Sequence, residues 1–247
     1  MRLLGTLLIG LVLGFDAING ERAHGTLVKL VSQPIYRDAV INGKFLAGAT
    51  TIAVLVISVV LVISGFGLTL VGVVPGVEEI LRLAIYTGIS IFYISFWLGL
   101  SILFSIAFRS VATSFLASVA LWIFLSFFVS LGASVLANSI APVEKREGAD
   151  PETVIANSRI KEGVSLISPM FIYSSATATI VDPMRKTTRS LVLMGPMEQI
   201  SSSRFQNPLS LGQSLVVVYP HLVALIAISL ICFAVSYWVF MMQEIRT

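Results

Sequence analysis

Residues 45–74 read FLAGATTIAVLVISVVLVISGFGLTLVGVV, thirty positions without a single Asp, Glu, Lys or Arg. An α-helix rises about 1.5 Å per residue, so about 20 such residues cross the hydrocarbon core of a bilayer. Three further stretches meet the same test: Leu83–Phe108, Val111–Ala137 and Ser214–Met242. A lone span in lipid can satisfy its backbone polar groups only within itself, which makes each of the four a helix. Composition agrees. Of the 247 residues, 56% are hydrophobic and 12% charged, where soluble domains carry about 25% charged. The mean hydropathy is +0.94. The expected fold is an all-α integral membrane protein, a polytopic helix bundle forming one transmembrane domain over 1–247. A net charge of +3 gives no reason to expect a nucleic-acid partner. The single cysteine, Cys232, lies inside an apolar run and allows no disulfide within one chain.

Leu3–Phe15 is a shorter apolar piece, closed by Asp16. Arg2 followed by a brief apolar run is one pattern of a signal peptide. No small-x-small cleavage site follows it, however, and Gly10 and Gly14 have the small-xxx-small spacing of a packed membrane helix. The second reading makes 3–15 the inner part of a span. Charge favours it. With Asp16–Lys44 on the cytoplasmic side, that side receives Arg22, Lys29, Arg37, Lys44, Arg109 and Arg246. Lys and Arg in short loops set orientation. The short outer loop after Val74 then holds Arg82 beside Glu78 and Glu79, and the carboxyl terminus is cytoplasmic. The extracytoplasmic segment 138–213 carries more Lys and Arg, but a segment of that length is largely exempt from the rule. Its Ala141–Ile160 part is polar, with Pro142, Pro151 and Asn157. Val164–Val181 and Leu191–Met197 are apolar but too short to span. They fit interfacial or re-entrant helices, or a small folded outer helical cap with its own core.

The cytoplasmic segment 16–44 departs from a generic bundle. Leu27, Leu30 and Val31 fall at i, i+3 and i+4 and make one apolar stripe, leaving Glu21, Arg22, Lys29 and Gln33 to face water or a partner. Pro34 disfavours helix at the residue before it and ends that piece. The chain re-enters a helix through Arg37 and Lys44. The expected element is a short amphipathic helix tied directly to two spans. It either anchors the bundle at the lipid interface or passes a push from a cytoplasmic partner into the spans.

Glu21-Arg22, Gly25-Thr26-Leu27, Leu30, Ser32, Pro34-Ile35, Arg37 and Gly43-Lys44 together resemble the signature of ABC-2 type transporter permeases. More narrowly they are similar to the permease of the copper-processing system for nitrous oxide reductase. The resemblance implies a membrane-spanning permease subunit, itself not an enzyme, that moves substrate in the export direction. ATP and Mg would be bound by a separate ATP-binding-cassette ATPase subunit, with no cofactor in this chain. It also implies a homodimer or heterodimer with a second permease in the plasma membrane, surrounded by membrane lipid. The segment matching Asp16–Lys44 would be the coupling helix that docks on the ATPase. Glu21, Arg22 and Lys29 are the candidates for polar contact there, with Thr26 and Arg37 matching the signature. Gly25 would allow close approach or a helix irregularity, and Pro34 would fix the bend. Such permeases have six spans, so the chain is expected to lack the family's first span. The other reading is an ATPase-independent carrier or an anchoring subunit of a membrane complex.

Other chemistries lack their residues. Gly43-Lys44-Phe45 has the Gly-Lys of a phosphate loop but neither the upstream glycine nor the following hydroxyl. His24 and His221 fall on opposite membrane faces and cannot share a metal, and no Ser-His-Asp arrangement can be drawn. The four runs hold no ionisable side chain except His221, whereas ion-coupled carriers place such groups inside the bundle. Two aromatic groups, around Phe92–Phe104 and Trp122–Phe128, fit either helix packing and lipid contact or a path for an amphiphile. Tyr237 and Trp238 suit an interfacial belt, and Pro220 is expected to kink or start the last span.

Overall fold

The computed structural model describes residues 3–26, 36–72, 74–142, 151–188 and 208–242. Every regular element among them is helical. In order they are α1 (Leu3–Gly14), α2 (Asn19–Ala23), α3 (Arg37–Val71), α4 (Val77–Ala107) and α5 (Val111–Ile123). A π-helical turn (Phe124–Phe128) follows, then α6 (Val129–Ile140), α7 (Pro151–Ser165), α8 (Pro169–Val181) and α9 (Leu211–Met242). Four helical stretches are long and apolar enough to cross a membrane: Asp38–Leu70, Val77–Ala107, Val111–Ile140 and Leu211–Met242. The protein is a multi-pass helical membrane protein, as its apolar runs predict.

The helix ends differ from the ends of those runs. α3 opens at Arg37 and stops at Val71, because Gly72 takes φ +70° and closes the helix in the left-handed region. α4 opens at Val77, so Glu78, Glu79 and Arg82 belong to a helix and not to the loop expected for them. The reason is electrostatic. The unpaired N–H groups of a helix start favour acidic side chains, and Glu79 Oε2 accepts a hydrogen bond from Gly76 N at 2.8 Å. Pro220 lies inside α9 and therefore does not begin that span. Much of the polar stretch before Val164 is helical too, as α7. It bends by 107° into α8. Each arm is only about 20 Å long, too short alone for a hydrocarbon core of about 30 Å. Ser168 starts α8, its Oγ accepting from Phe171 N at 3.4 Å with Pro169 in the first position. α8 buries Ile172, Tyr173, Ala176 and Ile180. Leu191–Met197 lies outside the described residues.

The chain divides into two compact units: Met1–Ile80 with Thr87–Leu121 and Leu225–Thr247, and Leu81–Tyr86 with Trp122–Ala224. In the first, Ile18, Ile52, Leu98, Ile102 and Phe240 belong to the buried core. There α1 lies against α4 through its two spaced glycines. A Cβ on Gly10 would fall 2.7 Å from Ile94 O, and one on Gly14 would fall 2.6 Å from Ser101 Cβ. In the second unit Asn157 Nδ2 donates to Asn138 Oδ1 (2.9 Å) and Ala141 O (2.7 Å), joining α7 to the end of α6. Arg82 is another tie. Its guanidinium is buried and donates to Ile180 O (2.9 Å), Leu209 O (2.6 Å) and Ser214 Oγ (3.1 Å).

Candidate functional site

A helix leaves its last carbonyls without partners inside the helix, and in an apolar setting something must reach them. At the end of α1 serines reach two carbonyls. Ser101 Oγ donates at 2.8 Å to Leu11 O, which also accepts from Phe15 N at 3.1 Å, and Ser114 Oγ donates to Phe15 O at 3.2 Å. Ser118 Oγ lies 3.3 Å from Ser101 Oγ. One turn along α4 from Ser101, Ser105 Oγ accepts from both Ile18 N and Asn19 N at 3.0 Å. All four serines are fully buried. Spaced i, i+4 on α4 and on α5, they clamp the turn between α1 and α2. Ser105→Ala should leave two buried N–H groups without an acceptor and lower stability by about 1–3 kcal/mol. Hydrogen exchange at Ile18 and Asn19 would report it, and Ser105→Thr, which keeps the hydroxyl, should restore slow exchange.

The clamp carries the candidate coupling residues. Glu21 Oε1 pairs with Lys44 Nζ at 2.7 Å, bridging α2 to the first turns of α3. Thr26 Oγ1 donates to Glu21 O at 3.1 Å and also to Glu21 Oε2. The hydrogen bond from Lys44, and then that from Thr26, holds the Glu21 carboxyl below the usual glutamate range. Arg22 Nη1 donates to Asn19 Oδ1 (3.3 Å) and to Phe108 O (3.4 Å). Phe108 caps the C-terminus of α4, where the helix dipole favours a cation. His24 Nδ1 donates to Gly20 O at 2.7 Å. Gly25 adopts φ +68° just after α2, and no atom of the described residues lies within 4 Å of a Cβ built there. Its glycine thus serves a left-handed helix exit.

Four of the residues singled out in the sequence, Glu21, Arg22, Gly25 and Thr26, therefore share one short stretch, with Lys44 as an added member. Lys29 and Pro34 lie outside the described residues, as do Gln33 and the stripe of Leu27, Leu30 and Val31. Arg37 opens α3. Glu21 and Arg22, expected to face water or a partner, have hydrogen-bond partners within the chain.

Sequence reasoning missed the serine clamp and Arg82. It also missed the π-helical turn, where Trp122 Nε1 and Ser126 Oγ are buried without a hydrogen-bond partner among the described residues. Of the aromatic groups, Tyr93, Phe96 and Trp97 are buried, with Phe96 and Trp97 edge to face at 5.0 Å. Phe92, Phe124, Phe127 and Phe128 are exposed on the protein surface. No group of three or more His, Cys, Asp or Glu side chains able to hold a metal forms among the described residues.

The protein family described as ABC-2 family transporter protein matches residues 1–245 of the chain. No curated protein and no solved structure matches it.

Proposed function

The chain belongs to the ABC-2 transporter family, and on that premise we propose that it is the non-catalytic permease subunit through which ATP hydrolysis in a separate subunit drives export. The observation that carries this reading is the anchorage of α2. A push on α2 from a docked ATPase would reach α4 through Ser105 and the Arg22–Phe108 contact, and α3 through Glu21–Lys44. Three links to two spans supply what mechanical coupling requires, and a surface anchor would need none of them. In this reading Glu21, Arg22, Gly25, Thr26, Lys29, Pro34 and Arg37 belong to the coupling element. The carboxyl terminus faces the cytoplasm, the membrane is the plasma membrane, and the permease pairs with an identical or related second copy. The likeness to the nitrous-oxide-reductase subfamily is part of the same proposal.

Arg82 does not favour an ion-coupled carrier, although it is an ionisable group in a spanning helix. Its guanidinium is engaged with two carbonyls and a hydroxyl at the first turns of α4, which is a structural tie.

A charge swap tests the coupling. Glu21→Lys alone should reduce co-purification of the ATPase subunit and transport several-fold while the chain still inserts. Combining it with Lys44→Glu restores the internal pair. Recovery of ATPase binding in the double variant means that Glu21 acts by holding α2. Continued loss means that Glu21 itself meets the ATPase. Full ATPase binding and transport in the single variant would remove α2 from the coupling path.

A further inference from the structure

Between α1, α2 and the beginning of α3, all within the first compact unit, lies a cleft of about 750 Å³. Its lining is mixed in chemistry. Val12, Leu13 and Ala47, from the apolar stretches of α1 and α3, line it. Asp16, Glu21, His24, Lys44 and Thr51 bring polar groups to it. Glu21 and Lys44 neutralise each other across 2.7 Å. Asp16 is exposed, and among the described residues its carboxylate has no hydrogen bond and no ion pair. The carboxylate rests on the backbone of Gly20, where a Cβ would stand 2.6 Å from Asp16 Oδ1. The glycine is thus what allows the carboxylate to lie along that wall of the cleft.

A cleft with apolar lining and one carboxylate that has no ion pair among the described residues fits one class of ligand. We infer that the cleft binds a cationic amphiphile, its ammonium head at Asp16 and its hydrocarbon tail along Val12, Leu13 and Ala47. An anionic amphiphile would set like charges together. A soluble cation would leave the apolar lining uncovered. At this boundary the carboxylate–ammonium attraction is stronger than in bulk water, because low-dielectric hydrocarbon lies on one side, and tail burial adds the hydrophobic contribution. The inference rests on the permease reading in one respect: it names the substrate class that the transporter would collect at this end of its spans. The same ammonium group occurs in a free alkylamine and, beside a phosphate, in a bilayer aminophospholipid.

The test uses the purified full chain in dodecyl maltoside, with a fluorescent dodecyltrimethylammonium probe and the matching dodecyl sulfonate. Wild type should bind the cation about tenfold tighter than the anion, equivalent to about 1.4 kcal/mol. Asp16→Asn should abolish that preference and Asp16→Glu should keep most of it. Gly20→Ala, which displaces the carboxylate without removing it, should weaken cation binding several-fold. Equal binding of the two probes, or unchanged preference in both Asp16→Asn and Gly20→Ala, would overturn the inference. Competition by added phosphatidylethanolamine would assign the site to a bilayer lipid, and its absence to a free amphiphile. Neither ATP nor a partner is needed, so failure here leaves the permease reading standing, and loss of ATPase co-purification leaves this site standing.

Discussion

Gly14→Ala is expected to lower stability by about 3 kcal/mol, near the top of the range for overpacking a tight contact. The new methyl would stand 2.6 Å from Ser101 Cβ and 2.8 Å from Leu98 O. Neither can swing aside, since one is bound directly to a helix backbone and the other is part of it. α1 would have to retreat from α4, and the 2.8 Å bond from Ser101 Oγ to Leu11 O would stretch with it. Gly65→Ala supplies the contrast, because no atom of the described residues lies within 4 Å of a Cβ there. Inside α3, about two turns before its end at Val71, that change should be neutral or stabilising by up to about 1 kcal/mol. Thermal unfolding in detergent would rank the two. Equal midpoints would mean that α1 is not held to α4 by close approach.

The second large effect belongs to Arg82. Arg82→Met keeps much of the side-chain volume but removes every donor, leaving Ile180 O, Leu209 O and Ser214 Oγ without the guanidinium. Hydrogen bonds to a charged group contribute about 1.5–3 kcal/mol each and do not add independently, so a loss of about 3–5 kcal/mol is expected. The change should also free the chain just beyond α8, at Arg185 and Lys186. Trypsin should cut there faster in the variant than in wild type. A variant with wild-type melting and cleavage would show that the three contacts do not hold α8. Arg82→Lys should recover only part of the loss, because one ammonium on a shorter reach cannot meet three acceptors in a fixed fork.

The spans were legible because thirty uncharged residues at 45–74 leave the backbone few alternatives in lipid. Their ends were less so. An apolar run stops at the first charge, whereas α4 begins with two glutamates that its own N-terminal dipole favours. The glycine pair in α1 announced a close contact, but spacing alone carries no information about which helix is met. The serines were invisible for a related reason. Ser101, Ser105, Ser114 and Ser118 are ordinary small residues in a membrane helix until tertiary structure brings carbonyls and N–H groups to them. In the candidate site the sequence marked Glu21 and Arg22 as polar and placed Lys44 in the same segment. That Glu21 and Lys44 pair across 23 positions of chain depends on the turn that Ser105 holds, and no local pattern encodes it.

The π-helical turn at Phe124–Phe128 has a consequence for how the third long span accepts change. Beyond it, α6 buries Val129, Ala133 and Ala137 along one face. A π-turn holds one residue more than the α-helical turn it replaces, and each residue of an α-helix advances the azimuth by roughly 100°. Loss of a single codon between Phe124 and Phe128 would let the span run as uninterrupted α-helix, with α6 rotated by that angle. Ala133 and Ala137 would then turn from protein toward lipid, and other side chains would take their place. In this span a deletion of one residue amounts to a rotation of roughly a quarter turn, and any lineage that carries the bulge is held to its reading of the downstream face.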